Sequence, residues 1–262
     1  MERKALVAVS SALLVGLGAV YLLRRRQHRE VTVAPAEGLS APAKGDPASR
    51  PAAQVPAGAA VIEGEVQLTG VAPAPGRLHR EADPYCARRE MADPTVLVAN
   101  GKLANVWVHV VKGAPDASPP PTAVEIGQRD CMYIPRVTSA VVGQRIVVRN
   151  GDSILHNVHT YLGASTLFNK GMPNEKAAPI EYKTVEPGVI RWKCDVHPWM
   201  RGYVGVSRNA FQAVTGADGA FRIANLPPGR YTLEAWHEKL GAKTLEITAP
   251  ARIVFRYDGS EH

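Results

Sequence analysis

From residue 61 onward the chain is a succession of short runs suited to extended backbone, and this pattern limits the fold more than any other feature. The runs VIEGEVQL (61–68), NVWVHVV (105–111), TAVEI (122–126), RIVVRN (145–150), VIRWKC (189–194), YVGVS (203–207), FRIANL (221–226), RYTLEAW (230–236), TLEIT (244–248) and RIVFRYD (252–258) are rich in β-branched and aromatic residues. Gly, Pro, Asn and Asp separate them. No window of helical periodicity rivals these runs, and only Pro84–Met91 suits a short helical turn. The expected body is all-β.

The first sixty residues have a different character. Ala5–Leu23 is an uncharged stretch of 19 residues, which as a helix would extend about 28 Å, enough to cross a bilayer core. Arg3 and Lys4 precede it, and Tyr21, Arg24, Arg25 and Arg26 mark its far end like an interfacial belt. Residues 1–29 are therefore read as a membrane anchor, with a cleaved signal peptide as the alternative. Residues 30–60 are mostly Ala and Pro, with almost no large apolar side chain, and are expected to form an extended tether.

Charge narrows the partners. Lys and Arg exceed Asp and Glu by 7 over the whole chain, but residues 1–29 hold six basic groups against one acid and so carry 5 of that excess. The body is nearly balanced. A nucleic-acid partner is not expected, because a phosphate-binding face needs basic residues clustered on the folded domain.

A boundary is expected near Arg208. Beyond it, Thr215–Ala235 reads T-x-x-D-G-x-F-x-I-x-N-L-P-P-G-x-Y-T-L-x-A, which resembles the small β-sandwich modules called carboxypeptidase regulatory-like, or transthyretin-like, domains. The motif is mainly turn chemistry and implies a fold more than a function.

The string Trp192-Lys-Cys194-Asp-Val-His197-Pro-Trp-Met200-Arg-Gly carries the chemistry. It sets a thiolate, an imidazole and a thioether three residues apart on one loop between two strands, a set that suits copper. A second imidazole is available in Asn150-Gly-Asp-Ser-Ile-Leu-His156-Asn157-Val-His159. Here the chain resembles the cupredoxins, or type 1 blue copper proteins, and among them the amicyanin/plastocyanin group. The match lies in C-x-x-H-P-[aromatic]-M-R-G (194–202), in L-H-N-V-H (155–159) and in the run from Tyr133 to Asn150, and it covers about residues 131–206.

The resemblance implies a Greek-key β-sandwich holding one type 1 copper. His156, Cys194 and His197 would be strong equatorial ligands and Met200 a weak axial one, while Asn157 would fix the loop around the thiolate. It also implies that His197 lies nearest the surface, with Pro198 and Trp199 forming an apolar patch for electron exchange. The chain departs from the family at Leu155, which stands where proline is usual.

The other histidines carry less. His159, three residues beyond His156 on an extended segment, is expected on the opposite face. His79 and His109 lie in no ligand-like spacing, and His237 is read as part of a packed turn rather than a second metal site. With Cys194 given to copper, Cys86 and Cys131 remain. A disulfide between them would close a loop of about 45 residues and stabilise the fold by about 4 kcal/mol; the alternative is two reduced, buried thiols. A disulfide and a copper thiolate both need an oxidising compartment. That places the body on the extracytoplasmic, periplasmic side, although the arginines after Leu23 favour a cytoplasmic body.

The expected organisation is thus an anchor at 1–29, a linker at 30–60, a cupredoxin-like copper domain with an N-terminal β extension at 61–207, and a β-module at 208–262. The expected function is single-electron transfer between transient redox protein partners. An envelope scaffold whose copper is structural or absent is the alternative. A copper enzyme is disfavoured because no His-x-His pair supplies a second copper.

Overall fold

The computed structural model describes residues 59–261. The anchor expected at 1–29, and the expected tether as far as residue 58, lie outside the described residues. Within them the chain is all-β apart from one turn of 3-10 helix at Cys86–Arg88, inside the segment expected to turn helically.

The strands run in the order β1 (Ala60–Leu68), β2 (Val98–Ala99), β3 (Lys102–Leu103), β4 (Trp107–Lys112), β5 (Val124–Arg129) and β6 (Met132–Ile134). Next come β7 (Val137–Val141), β8 (Arg145–Asn150), β9 (His156–Leu162), β10 (Ser165–Met172), β11 (Ile180–Lys183) and β12 (Gly188–Lys193). The last are β13 (Arg201–Ser207), β14 (Gln212–Val214), β15 (Ala220–Leu226), β16 (Gly229–His237), β17 (Gly241–Ala249) and β18 (Ala251–Tyr257).

Two sheets hold the middle of the chain, ordered β10-β9-β12-β13-β7 and β11-β8-β5-β6. Their apolar faces share one core, which includes Ile126, Tyr133, Ile146, Val148, Val158, Ile190, Trp192 and Val204. A second core, around Ile62, Val66, Val108, Phe221, Leu233, Phe255 and Tyr257, lies between the other two sheets. One has the order β15-β1-β3-β2 with β18 also on β1, and the other β14-β4-β16-β17. β16 shows why such a strand forms: Tyr231, Leu233, Ala235 and His237 are buried and alternate with more accessible residues, the period-2 signature of a half-buried strand.

The strand pairing crosses the boundary expected at Arg208. β1 pairs antiparallel with β15 and parallel with β18, and β4 stands between β14 and β16. The C-terminal strands leave those two central places open, and the segment before the copper-type motif fills them. The middle sandwich is therefore carried between the two halves of the other one.

Among the contacts that join the sandwiches, three stand out. The Trp107 indole lies on Gly205 of β13, where a Cβ would stand 2.1 Å from the ring, so only glycine admits this approach. Tyr203 packs against Trp236 at 5.3 Å between centroids. Arg136 and Glu238 form a buried ion pair, with Nη2 donating to Oε2 at 2.8 Å.

Candidate metal centre

The centre forms where β9 begins and where the loop from β12 to β13 reverses. Along β9, His156, Val158 and Thr160 are buried while Asn157 and His159 are more accessible, so strand alternation sends His156 inward. The loop is closed by two backbone hydrogen bonds, from Met200 N–H to the His197 carbonyl at 2.9 Å and from Cys194 N–H to the Met200 carbonyl at 3.2 Å. Cys194, His197 and Met200 are all buried.

Three donor atoms converge. His156 Nδ1 and His197 Nδ1 are 3.0 Å apart, Cys194 Sγ lies 3.7 Å from His197 Nδ1, and all three atoms fall within 4.8 Å of one another. Asn157 stands beside them in the place expected. Its backbone N–H points at Cys194 Sγ at 3.5 Å, and its side-chain oxygen accepts from Asp195 N–H at 2.6 Å, which ties β9 to the loop.

Each imidazole is held from behind. His156 Nε2 meets Asp152 Oδ2 at 2.9 Å, and His197 Nε2 meets Asp83 Oδ2 at 3.2 Å. Asp152 also accepts from the N–H groups of Asp130 and Cys131 at 2.8 and 2.9 Å. Those two residues form the β5–β6 turn with φ of 51° and 57°, a left-handed conformation that needs such support. Cys131 is bonded to Cys86, with Cα atoms 5.7 Å apart. The disulfide expected from cysteine usage is present, and Cys194 is left as a free, buried thiol.

The electrostatics follow from burial set against these contacts. Burial would raise the Cys194 thiol, but hydrogen bonds from His156 and from the N–H groups of Asn157, His197 and Val196 outweigh it and favour the thiolate. Burial would lower His156, yet hydrogen bonds to Asp152 and Cys194 hold it above its ordinary value. His197 is depressed by burial, with Asp83 opposing and the neighbouring His156 adding to the effect. A stabilised thiolate, two converging Nδ1 atoms and a buried thioether on the same loop form a donor set that fits copper.

The surroundings differ from expectation in one respect. His197 is 1% exposed, because the segment from Asp83 to Arg88, fastened through Cys86, closes on its outer nitrogen. Pro198 is exposed, while Trp199 is half-buried and donates its indole N–H to the Cys131 carbonyl at 3.2 Å. The exposed apolar residues beside the centre are Leu155 and Val196, each one position before a histidine of the cluster.

The other histidines among the described residues lie outside this cluster. His159 faces away and pairs with Asp195 at 2.9 Å. His109 stacks on Trp107 with ring centroids 3.6 Å apart, and His79 is exposed. His237 is fully buried, and its Nδ1 accepts the N–H groups of Lys239 and Leu240 at 3.2 Å each. Asp83 and Asp152 were not singled out from sequence, although Asp152 stands four residues before His156 and Asp83 three before Cys86.

Among known proteins, no family model and no curated protein matches the chain. Solved structures do. A purple cupredoxin from Nitrosopumilus maritimus is 27% identical over 32% of this chain and 99% of its own, with a TM-score of 0.29. Amicyanin from Paracoccus versutus is 25% identical over 38% of this chain and 97% of its own, with a TM-score of 0.30. A copper-containing nitrite reductase from Thermus scotoductus is 19% identical over 38% of this chain and 25% of its own, again with a TM-score of 0.30. These structures are two cupredoxins and a copper-containing nitrite reductase, and each covers only 32–38% of this chain.

Proposed function

We propose that the chain is a membrane-tethered, extracytoplasmic type 1 copper protein that passes single electrons between redox partners and is not itself an enzyme. The observation that carries this reading is the convergence of His156 Nδ1, His197 Nδ1 and Cys194 Sγ within 4.8 Å in a buried site. In this reading His156, Cys194 and His197 would hold the metal and Met200 would supply a weaker thioether donor. A bound copper would supply a one-electron couple.

The chain's own residues keep that site dry and fixed. Asn157 N–H donates to the thiolate, two backbone hydrogen bonds close the loop, and the disulfide holds the segment over His197. A donor set held this tightly changes little between oxidation states, so little reorganisation opposes transfer. A transient partner would dock on the exposed apolar surface of Leu155, Val196 and Pro198, through an interface small enough to dissociate quickly. The carrier reading is favoured over an enzyme because the sequence holds no His-x-His pair to take a second copper.

The location rests on redox chemistry, since a disulfide beside a copper thiolate persists in an oxidising compartment. A reporter enzyme active only after export, fused after His262, is expected to be active. Redox titration of the copper-loaded full chain should follow a reversible one-electron curve, and copper that neither oxidises nor reduces reversibly would overturn the carrier reading.

A further inference from the structure

Asp83 and Asp152 come from segments 69 positions apart in the sequence, yet they are linked to each other as well as to the two imidazoles. The Tyr85 hydroxyl donates to Asp152 Oδ1 at 3.2 Å, and Arg80 Nη2 donates to the Asp130 carbonyl at 2.7 Å. The Cys86–Cys131 bond joins the same two segments covalently. Asp83 is itself held in place, because its Oδ1 accepts the N–H groups of Tyr85 at 2.8 Å and Cys86 at 3.2 Å. Asp152 is 2% exposed and has all its oxygens engaged. Neither carboxylate can swing away without breaking several bonds.

We infer that Asp83, Asp152 and the Cys86–Cys131 disulfide form one brace that sets the tautomer and ring angle of both histidines at the candidate centre. This inference rests on the copper reading for its consequence and on geometry for its existence. An imidazole whose Nε2–H is donated to a carboxylate presents the lone pair of Nδ1, and its ligand basicity is raised. Both rings are held at Nε2 in this way, which leaves both Nδ1 atoms, including the one through which His156 hydrogen-bonds to Cys194, as the side that would be turned to a metal. Asp83 and Asp152 are positioning residues that act through the imidazoles. Because more basic ligands favour the higher oxidation state, the brace would bias a bound copper toward Cu(II). Of the two arms, the Asp83 arm depends on the disulfide, since Cys86 anchors the turn that carries it.

The test uses the full-length protein with Asp83→Ala, Asp83→Asn, Asp152→Asn and the double variant Cys86→Ala/Cys131→Ala. Proton NMR of the metal-free wild type should show two slowly exchanging Nε2–H signals from His156 and His197. Asp83→Ala should lose the slow exchange of His197 alone, and Asp152→Asn that of His156. The cysteine double variant, with Asp83 untouched, should also lose the His197 signal. In competition titrations with Cu(II) alone, Asp83→Ala should bind about 10- to 100-fold more weakly and the reduction potential should rise, with Asp83→Asn in between. If Asp152→Asn does not fold, the Asp83 and cysteine variants decide, because Asp83 lies at the more accessible end of the brace. Slow exchange at His197 and Cu(II) affinity both unchanged in Asp83→Ala would overturn the brace. A wild type that shows both signals but binds no copper would leave the brace standing and remove the copper reading.

Discussion

The Asp83 carboxylate meets the outer nitrogen of His197 at 3.2 Å across 114 positions of sequence, and this contact seals the one face of the ring that the resemblance left open to solvent. Chemical accessibility should follow. In metal-free wild type, a histidine-acylating reagent should modify the exposed His79 first and spare His197, His156 and His237. Asp83→Ala should bring His197 into the reactive class. Wild-type His197 reacting as fast as His79 would contradict the closed arrangement.

A second expectation concerns the seam between the sandwiches. Gly205→Ala would drive a methyl group into the Trp107 ring, whose nearest atoms lie 2.1–2.5 Å from where the Cβ would stand. Overpacking of this kind costs typically 1–3 kcal/mol, and the Trp107 ring, already stacked on His109 with centroids 3.6 Å apart, places the loss near the top of that range. Urea unfolding should show it. Trp107→Ala combined with Gly205→Ala should be less damaging than the two single effects added, since the clash is then gone.

His237 predicts a pH dependence. Burial, with Arg136 adding to it, lowers this imidazole to about 4, whereas in the unfolded chain it titrates near 6.5. The folded form thus holds its proton more weakly than the unfolded form. Stability from this residue is full above about pH 6.5 and is lost as pH falls toward 4. With about 1.4 kcal/mol for each factor of ten in proton affinity, the loss is about 3 kcal/mol. His237→Gln, which retains an acceptor for the backbone N–H groups of Lys239 and Leu240, should flatten that slope. A wild type equally stable at pH 7 and pH 4.5 would contradict it.

The disulfide gives a fourth expectation. Unreduced, denatured metal-free protein should show one reactive thiol per chain, from Cys194, and reduction should raise the count to three. Cys131→Ser should lower stability by about 4 kcal/mol on chain-entropy grounds, with a further loss because Cys86 anchors the turn over His197.

Each of the ten runs read as extended from residue 61 onward contributes to a strand, because each combines β-branched or aromatic residues with bounding turn residues. β10 was not read because STLFNKGM is mostly exposed and lacks an apolar alternation, so its place comes from antiparallel pairing with β9. The pairing of β1 with β18 was not legible either. Periodicity marks a strand and its buried face but not its neighbour, and here the neighbour is nearly 190 positions away. At the centre, Cys194, His197 and His156 stood out because donor types at loop spacing are a local signal. Asp83 carried none, since an aspartate before a proline reads as turn chemistry, and only the fold brings it to His197.

The most direct measurement is the visible absorption spectrum of the full-length protein loaded with Cu(II). A copper held by the Cys194 thiolate together with His156 and His197 would give an intense charge-transfer band that colours the protein. Cys194→Ser should abolish the band and His156→Ala should disrupt it, while Met200→Leu should keep the copper and raise the potential and His159→Ala should change neither. Wild-type protein that binds Cu(II) with only the weak absorption of nitrogen and oxygen ligands, or that binds none, would contradict the account.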